Sequence, residues 1–343
     1  MSRETSIGSL LATGVPMPPP IAHVDYVTDP EGSADPIRFL LDALGSPGAV
    51  PLLLAGALLA LGLVMAWARW RPLEASRVRF IERAEGYREY LPWIVRLSVG
   101  LVLIGSGVSR ALFMPTVDAE GWAPLVLTAT GFLLLLGLAV RPAALVALAL
   151  YAVTLAGHPE SVMMLDVAAA LGVVALVGPG RPSLDDLLRA AFPRGPGARA
   201  ATENLGKGHY DDLVPLLVRL GLGGAFAASG IVDKLLIHDQ ALAAVDRYRL
   251  TDVVPVAPEL WVLGAILIET ALGLAIVAGV LTRLSAAIGF AVLTLALFAL
   301  PDDPVIAHVG LFGLSSLLVV TGAGRWSLDR AVLRPIGERL RAR

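Results

Sequence analysis

The sequence predicts an all-α membrane protein with about nine transmembrane helices, arranged as two parallel-repeat four-helix bundles plus one extra N-terminal helix. Three observations predict it. Of 343 residues, 56% are hydrophobic and only 16% are charged, with a mean hydropathy of +0.73. A soluble domain carries about 25% charged residues, so this chain lacks the charge to cover a water-facing surface. Apolar runs of roughly 20 residues, the length that crosses the hydrocarbon core, recur along the chain. Finally, two stretches of the sequence copy each other.

The apolar runs fall at 49–68, 93–113, 122–140, 142–156, 162–177, 213–236, 258–280, 284–300 and 304–321. The charges between them give an orientation. Arg69, Arg71, Arg77, Arg79, Arg83 and Arg88 follow the first run, and Arg181, Arg189, Arg194, Arg199 and Lys207 follow the fifth. Arg141 and Arg283 sit in the tight turns after the third and seventh, and the C-terminal tail holds Arg325, Arg330, Arg334, Arg339, Arg341 and Arg343. If nine runs alternate, all of these lie on one side. The opposite loops carry Asp118, Glu120, Glu160, Asp302 and Asp303. The positive-inside rule then places the chain in the cell membrane with its C-terminus cytoplasmic and its N-terminus outside. Arg247 and Arg249 break the pattern, offset by Asp239, Asp246 and Asp252.

Residues 1–48 read as an acidic, Pro-rich outer tail. The stretch 6–15 is too short and too rich in Gly and Ser for a signal-peptide core, and Pro16, Pro18, Pro19 and Pro20 follow it. The rival reading is a degenerate signal cleaved before His23. A net charge of −2 offers no field for nucleic acid. With no cysteine, the chain holds no disulfide, Fe–S cluster or thiolate metal site.

The copies are matched at constant offsets. Pro92, Arg96, Leu97, Gly100, Ser106 and Gly107 recur as Pro215, Arg219, Leu220, Gly223, Ser229 and Gly230. "GPGRPSLD" from Gly178 recurs as "GAGRWSLD" from Gly322, and Arg141 pairs with Arg283. Each copy holds four runs, an even number, so both have the same orientation. The octet has a structural reading: Gly ends a membrane helix, Arg meets headgroups, and Ser183 or Ser327 caps a short following helix. The domains are therefore a tail (1–48), an extra helix with a basic segment (49–91), a degenerate first repeat (92–190), a linker (191–212), a complete second repeat (213–333) and a basic tail (334–343).

"RLGLGGAFAASGIVDKLL", then Glu269 in "LIETALGLAIVAGVLTRL", then "GAGRWSLD", resemble the DoxX family, which includes the small subunit of thiosulfate:quinone oxidoreductase. The second repeat fits fully, the first in outline, and residues 1–91 lie outside. The resemblance implies DoxX-like four-helix bundles in the membrane, a link to redox chemistry, quinone as cofactor, and a redox partner subunit. It favours Lys234 and Glu269 as family-type positions.

An ionisable group inside a bilayer costs about 2.5–3.5 kcal/mol on insertion scales and points to function. The second repeat contains Arg219, Lys234, Glu269 and His308. Glu269 falls near mid-membrane, Lys234 and His308 near the outer ends of their runs, and Arg219 toward the inner end. Lys234, Glu269 and His308 are the candidate catalytic groups, and Arg219 with Glu269 the candidate cofactor-binding groups. An ion pair of Glu269 with Lys234 or Arg219 could instead simply brace the bundle, and His308 could be an interfacial residue meeting water. The first repeat places Ala111, Leu127 and Met164 opposite Lys234, Glu269 and His308; Asp166, with Arg110 as possible partner, is its remaining intramembrane carboxylate. His158 and His308 as a haem pair are disfavoured because nothing sets them face to face. His209 and His238 read as solvated loop residues. No metal site is expected.

Three functions compete: a quinone-linked membrane subunit of an oxidoreductase, a small-solute transporter, and a scaffold anchoring a redox partner. Against transport, no run is broken at mid-membrane by Pro.

Overall fold

A computed structural model describes residues 35–69, 71–191, 212–300, 305–336 and 339. The expectations for residues 1–34, for most of the linker, for Asp302 and Asp303 and for the end of the basic tail lie outside these. Among the described residues, seven helical runs are long and apolar enough to cross a membrane, and two shorter apolar helices, Ala123–Leu136 and Val305–Thr321, accompany them. These nine coincide with the nine apolar runs of the sequence, so the chain is an all-α multi-pass membrane protein.

The first elements are α1 (Pro36–Gly45), α2 (Ala49–Arg69) and α3 (Arg71–Glu85). Asp35 starts α1, accepting a 3.0 Å hydrogen bond from the Ile37 N–H, with Pro36 at the first helical position. α2 stands apart from the bundles: only 6% of its apolar window is buried. Its leucines are suited to lipid rather than to a protein core.

The first bundle comprises α4 (Leu91–Val108), α5 (Ala123–Leu136), α6 (Val140–Gly157) and α7 (Leu165–Val177), the last entered through a 3₁₀ segment, Pro159–Met164. α4 ends five residues before the run at 93–113 does. Arg110 and Phe113 take positive φ (57° and 65°), and Ala111–Leu112 pairs antiparallel with Met114–Asp118 in a small hairpin. Apolar composition alone did not show where that helix stops. After α8 (Leu184–Ala191), the second bundle comprises α9 (Leu213–Ala228), continued by a π-helical segment Ser229–Leu236, then α12 (Pro258–Ala278), α13 (Thr282–Ala299) and α14 (Val305–Thr321). Two short helices, α10 (His238–Arg247) and α11 (Leu250–Val253), link the π segment to α12.

Each bundle closes as a ring, α4–α5–α6–α7 and α9–α12–α13–α14. Between the bundles, α7 packs on α9 and α14 packs on α4, so the first helix of each meets the last helix of the other. One core runs through both, with Leu103, Leu127 and Leu171 on one side and Leu222, Ile276 and Leu314 on the other. Small residues allow the close crossings. A Cβ on Gly131 would lie 2.7 Å from the Gly100 carbonyl oxygen, and one on Gly223 would lie 2.6 Å from that of Gly273.

The two halves share a latch at the end of the molecule that carries the basic turns. Gly137 and Gly279 close α5 and α12 with positive φ (71° and 69°), and their neighbours' amides bond back to Leu133 and Ala275 in the Schellman pattern. The aspartate of each octet then caps the next helix. Asp185 accepts from the Ala139 and Val140 amides at 3.0 and 3.4 Å, and Asp329 from the Leu281 and Thr282 amides at 2.6 and 2.8 Å. Ser183 and Ser327 accept from the amides three residues on, as the capping reading expected. A buried arginine underlies each latch. Arg96 donates to the Pro179 and Pro182 carbonyls at 2.6 and 2.8 Å, and Arg219 donates to the Trp326 carbonyl. The octet thus binds the fourth helix of each bundle to the turn between the second and third, a role its sequence alone did not reveal.

Candidate intramembrane site

The polar groups of the second bundle gather at the end opposite the latch. There the sixth run does not remain α-helical: from Ser229 it widens into a π-helix, a form frequent at functional sites. Gly230 brings this segment against α12, where a Cβ would lie 3.0 Å from the Thr270 amide nitrogen and 3.1 Å from the Ile266 carbonyl. That approach places Lys234 beside Glu269, which lies eleven residues into α12, about 16 Å along its axis.

The Lys234 ammonium lies 2.9 Å from Glu269 Oε2, 3.1 Å from Asp233 Oδ2 and 3.1 Å from Ser229 Oγ. One cation therefore sits between two carboxylates. The contact with Glu269 is a charge contact whose alignment falls short of a hydrogen bond. The side chains of Lys234, Asp233 and Glu269 are 13%, 4% and 18% exposed. A single buried charge costs several kcal/mol, and a pair is tolerated only with close geometry and further hydrogen bonds. Here the accounting is incomplete. Asp233 Oδ1, Glu269 Oε2 and Thr270 Oγ1 are buried with no hydrogen-bond partner among the described residues. So are both amide atoms of Gln240, on α10, which packs against both the π segment and α12. Native interiors leave few such atoms.

α1 and α10 cover this end of the bundle. Phe39 of α1 stacks on the His238 ring at 4.3 Å between centroids and 15° between planes. His238 is 3% exposed, so its reading as a solvated loop residue is corrected: the loop after the sixth run folds into α10 and turns the imidazole inward.

The structure separates the remaining sequence candidates from Glu269. Arg219 lies in the latch, where a Cβ on Gly279 would meet its guanidinium; Gly279 is ten residues, about 15 Å, further along α12 than Glu269. His308 is 0% exposed on α14, which corrects the expectation of an interfacial histidine meeting water. The neighbours of the Lys234 ammonium are Ser229, Asp233 and Glu269, and His308 is not among them. His158 is exposed and meets Glu160 at 3.2 Å. Asp166 is buried between the halves, its carboxylate 3.0 Å from where a Cβ on Gly310 would stand. Near it, Val102, Ser106, Ser109, Phe113, Met164 and Ile306 line a cavity of about 30 Å³, room for a single water.

Sequence reasoning passed over Asp233 and Gln240. The signal for Asp233 was present: an Asp–Lys pair inside an apolar run, in "GIVDKLL". Gln240 gave none, because a glutamine after a membrane run reads as a loop residue.

The DoxX family model matches residues 214–302. That segment runs from α9 into the link after α13. It contains Arg219, Asp233, Lys234 and Glu269 and stops short of His308. The match supports DoxX family membership on about a quarter of the chain. No curated protein and no solved structure matches.

Proposed function

We propose that this DoxX-like membrane protein is the quinone-linked membrane subunit of an oxidoreductase, of the type in which thiosulfate supplies the electrons. The observation that carries the reading is the Asp233–Lys234–Glu269 cluster. An ammonium between two carboxylates sits inside the membrane, at a partly exposed edge, within the segment that matches DoxX. The residues fit a quinone headgroup: an ammonium can donate to a carbonyl oxygen, and carboxylates can exchange protons with a hydroxyl. A quinone, when bound, supplies the two-electron acceptor. Lys234 orients a carbonyl oxygen, Glu269 sets the charge of the ammonium, and the apolar walls of α9 and α12 exclude water. A chain without cysteine holds no thiolate-bound cluster, so electrons arrive from the donor directly or through a redox partner subunit.

Three structural readings accompany this one. The two halves are tandem copies, supported by the matched latches and glycine crossings. The first is degenerate at its outer end, where Leu127 stands opposite Glu269. The N-terminus lies outside and the C-terminus in the cytoplasm, supported by the placement of the arginines.

The test is the quinone content of the protein purified in native lipid, followed by quinone reduction with and without thiosulfate. Bound quinone and thiosulfate-dependent reduction, abolished in Glu269→Gln while the protein remains folded, are the expected results. Absence of both refutes the assignment. The π-helical break in the sixth run gives solute transport its one supporting observation, and flux in liposomes without any redox activity would establish that reading instead. Full function in Glu269→Gln would leave the scaffold.

A further inference from the structure

We infer that the latch of the second bundle carries a binding site for the headgroup of an anionic phospholipid, held by Arg325 and Arg330, and that the latch of the first bundle does not. The site lies at the opposite end of the bundle from Lys234 and Glu269, and it stands apart from the quinone reading.

The two latches share a backbone. Gly178 and Gly180 take positive φ (88° and 63°), as do Gly322 and Gly324 (79° and 73°). The Asp185 amide donates to the Gly137 carbonyl at 2.9 Å, and the Asp329 amide donates to that of Gly279 at 2.8 Å. The amides of Asp186 and Arg330 then donate to the carbonyls of Ser183 and Ser327, both at 3.2 Å. Arg330 therefore stands in the second latch where Asp186 stands in the first, and Arg325 stands where Arg181 does.

The side chains at these matched places differ in charge. In the first latch Arg181 and Asp186 form an ion pair, Nε to Oδ2 at 3.0 Å. In the second, both places carry a guanidinium. Arg325 and Arg330 are exposed, and among the described residues neither has an ion-pair partner. The neighbouring acid, Asp329, is committed to the Leu281 and Thr282 amides. A backbone that sets an arginine against a carboxylate in one latch thus sets it against a second arginine in the other. Two cations so placed repel each other and are complementary to an anion. Guanidinium groups match phosphate oxygens with paired N–H donors.

The surroundings select a lipid over a soluble anion. The corner follows directly on α14, where the chain leaves an apolar helix. Trp326, beside Arg325, is 52% exposed, and Leu328, Val332 and Ile336 are exposed on the segment that carries Arg330. Tryptophan next to cationic and apolar side chains suits the depth of lipid headgroups. An anionic phospholipid supplies both parts of the match, phosphate oxygens for the arginines and an acyl chain for the apolar side chains. A free phosphate ion supplies only the first.

Native mass spectrometry of the full-length protein in detergent, titrated with dioleoylphosphatidylglycerol or dioleoylphosphatidylcholine, tests the site. The two lipids share their acyl chains and differ in net charge. Wild type should retain phosphatidylglycerol in preference. Arg325→Gln should weaken its tightest-bound phosphatidylglycerol about fivefold, the effect of one arginine at an anionic lipid surface. Arg181→Gln, the same loss of charge at the matched place, should leave that lipid unchanged. Arg330→Asp, which recreates the ion pair of the first latch, should weaken it about thirtyfold. Asp186→Arg should add a second tightly held phosphatidylglycerol at the first latch. The three arginines are exposed and Asp186 is partly so, and the substitutions leave the fold intact. Equal retention of the two lipids, equal losses in Arg181→Gln and Arg325→Gln, or undiminished binding in Arg330→Asp overturns the site. Displacement of the lipid by inorganic phosphate at matched ionic strength would assign the corner to a free anion and overturn it as well.

Discussion

Removing the Lys234 charge while keeping its length tests whether the cluster is held together as the geometry implies. In Lys234→Met the apolar stem remains, but Asp233 and Glu269 lose the cation that lies within 3.1 Å of each. Breaking a buried pair by deleting one partner costs about 3–5 kcal/mol, because the other charge stays buried and uncompensated. The residual exposure of Glu269, 18%, places the expected loss near the low end, about 3 kcal/mol. Replacing all three partners with apolar side chains should behave differently. Leu127, fully buried, stands ten residues before Gly137 at the end of α5, as Glu269 stands ten residues before Gly279 at the end of α12. Lys234→Met combined with Glu269→Leu and Asp233→Leu, which leaves no charge of the cluster behind, should therefore return to within about 1 kcal/mol of wild type, as buried charge clusters replaced by well-packed hydrophobes commonly do. Equilibrium unfolding in mixed micelles, followed by tryptophan fluorescence, gives the three stabilities under one denaturant scale. A Lys234→Met protein within about 0.5 kcal/mol of wild type, the range of ordinary surface substitutions, would falsify the account of a buried, mutually dependent pair.

The latch yields further expectations. Gly279→Ala forces a Cβ onto the Arg219 guanidinium at a positive φ of 69°, and Gly137→Ala does the same to Arg96 at 71°; each should cost at least the roughly 1–2 kcal/mol of left-handed strain, measured by the same unfolding assay. Asp329→Ala removes the acceptor for two helix N-terminal amides and should cost about 1–2 kcal/mol, with a smaller effect for Asp185→Ala, whose bonds at 3.0 and 3.4 Å are longer than the 2.6 and 2.8 Å of Asp329. Cysteine labels placed before Gly48 should react with a membrane-impermeant reagent in intact cells, while labels in 71–85 should react only after lysis; the reverse pattern overturns the orientation.

The helical framework was legible because each membrane run must satisfy its own backbone hydrogen bonds within a long apolar stretch, and hydropathy records that requirement directly. Where backbone geometry departs from the α-helix, hydropathy is blind. It ran past Val108, since Ala111, Leu112 and Phe113 are as apolar in a hairpin as in a helix. It also missed the π segment, which packs against α12. Lys234 and Glu269 stood out as charges in apolar runs, and the constant offsets pointed to Arg96 and Arg219 as counterparts. Their work in the latch was hidden, because it depends on carbonyl oxygens more than eighty residues away in sequence. His308 shows the converse limit: position along a run gives depth in the membrane but not the direction in which a side chain points.

The two bundles differ in a way that separates architecture from chemistry. Both contain the arginine, the left-handed glycine, the serine and the capping aspartate of the latch; the aspartates cap corresponding amides, while Arg96 reaches two carbonyls and Arg219 one. These contacts hold the second, third and fourth helices in register, and any four-helix bundle of this type needs them. At the opposite end the bundles diverge. The first closes with a hairpin and a core leucine, Leu127, at 0% exposure. The second opens into a π-helix that carries an aspartate and a lysine toward a glutamate, with buried polar atoms left over. Unsatisfied polar groups destabilise a bundle that only has to stand. The first bundle also buries polar groups toward this end, Asp166 and Ser161, so what sets the second apart is a cation held between two carboxylates. On the proposed function, the chemistry of the second bundle falls at this cluster between α12 and the π segment, with α1 and α10 folded over it.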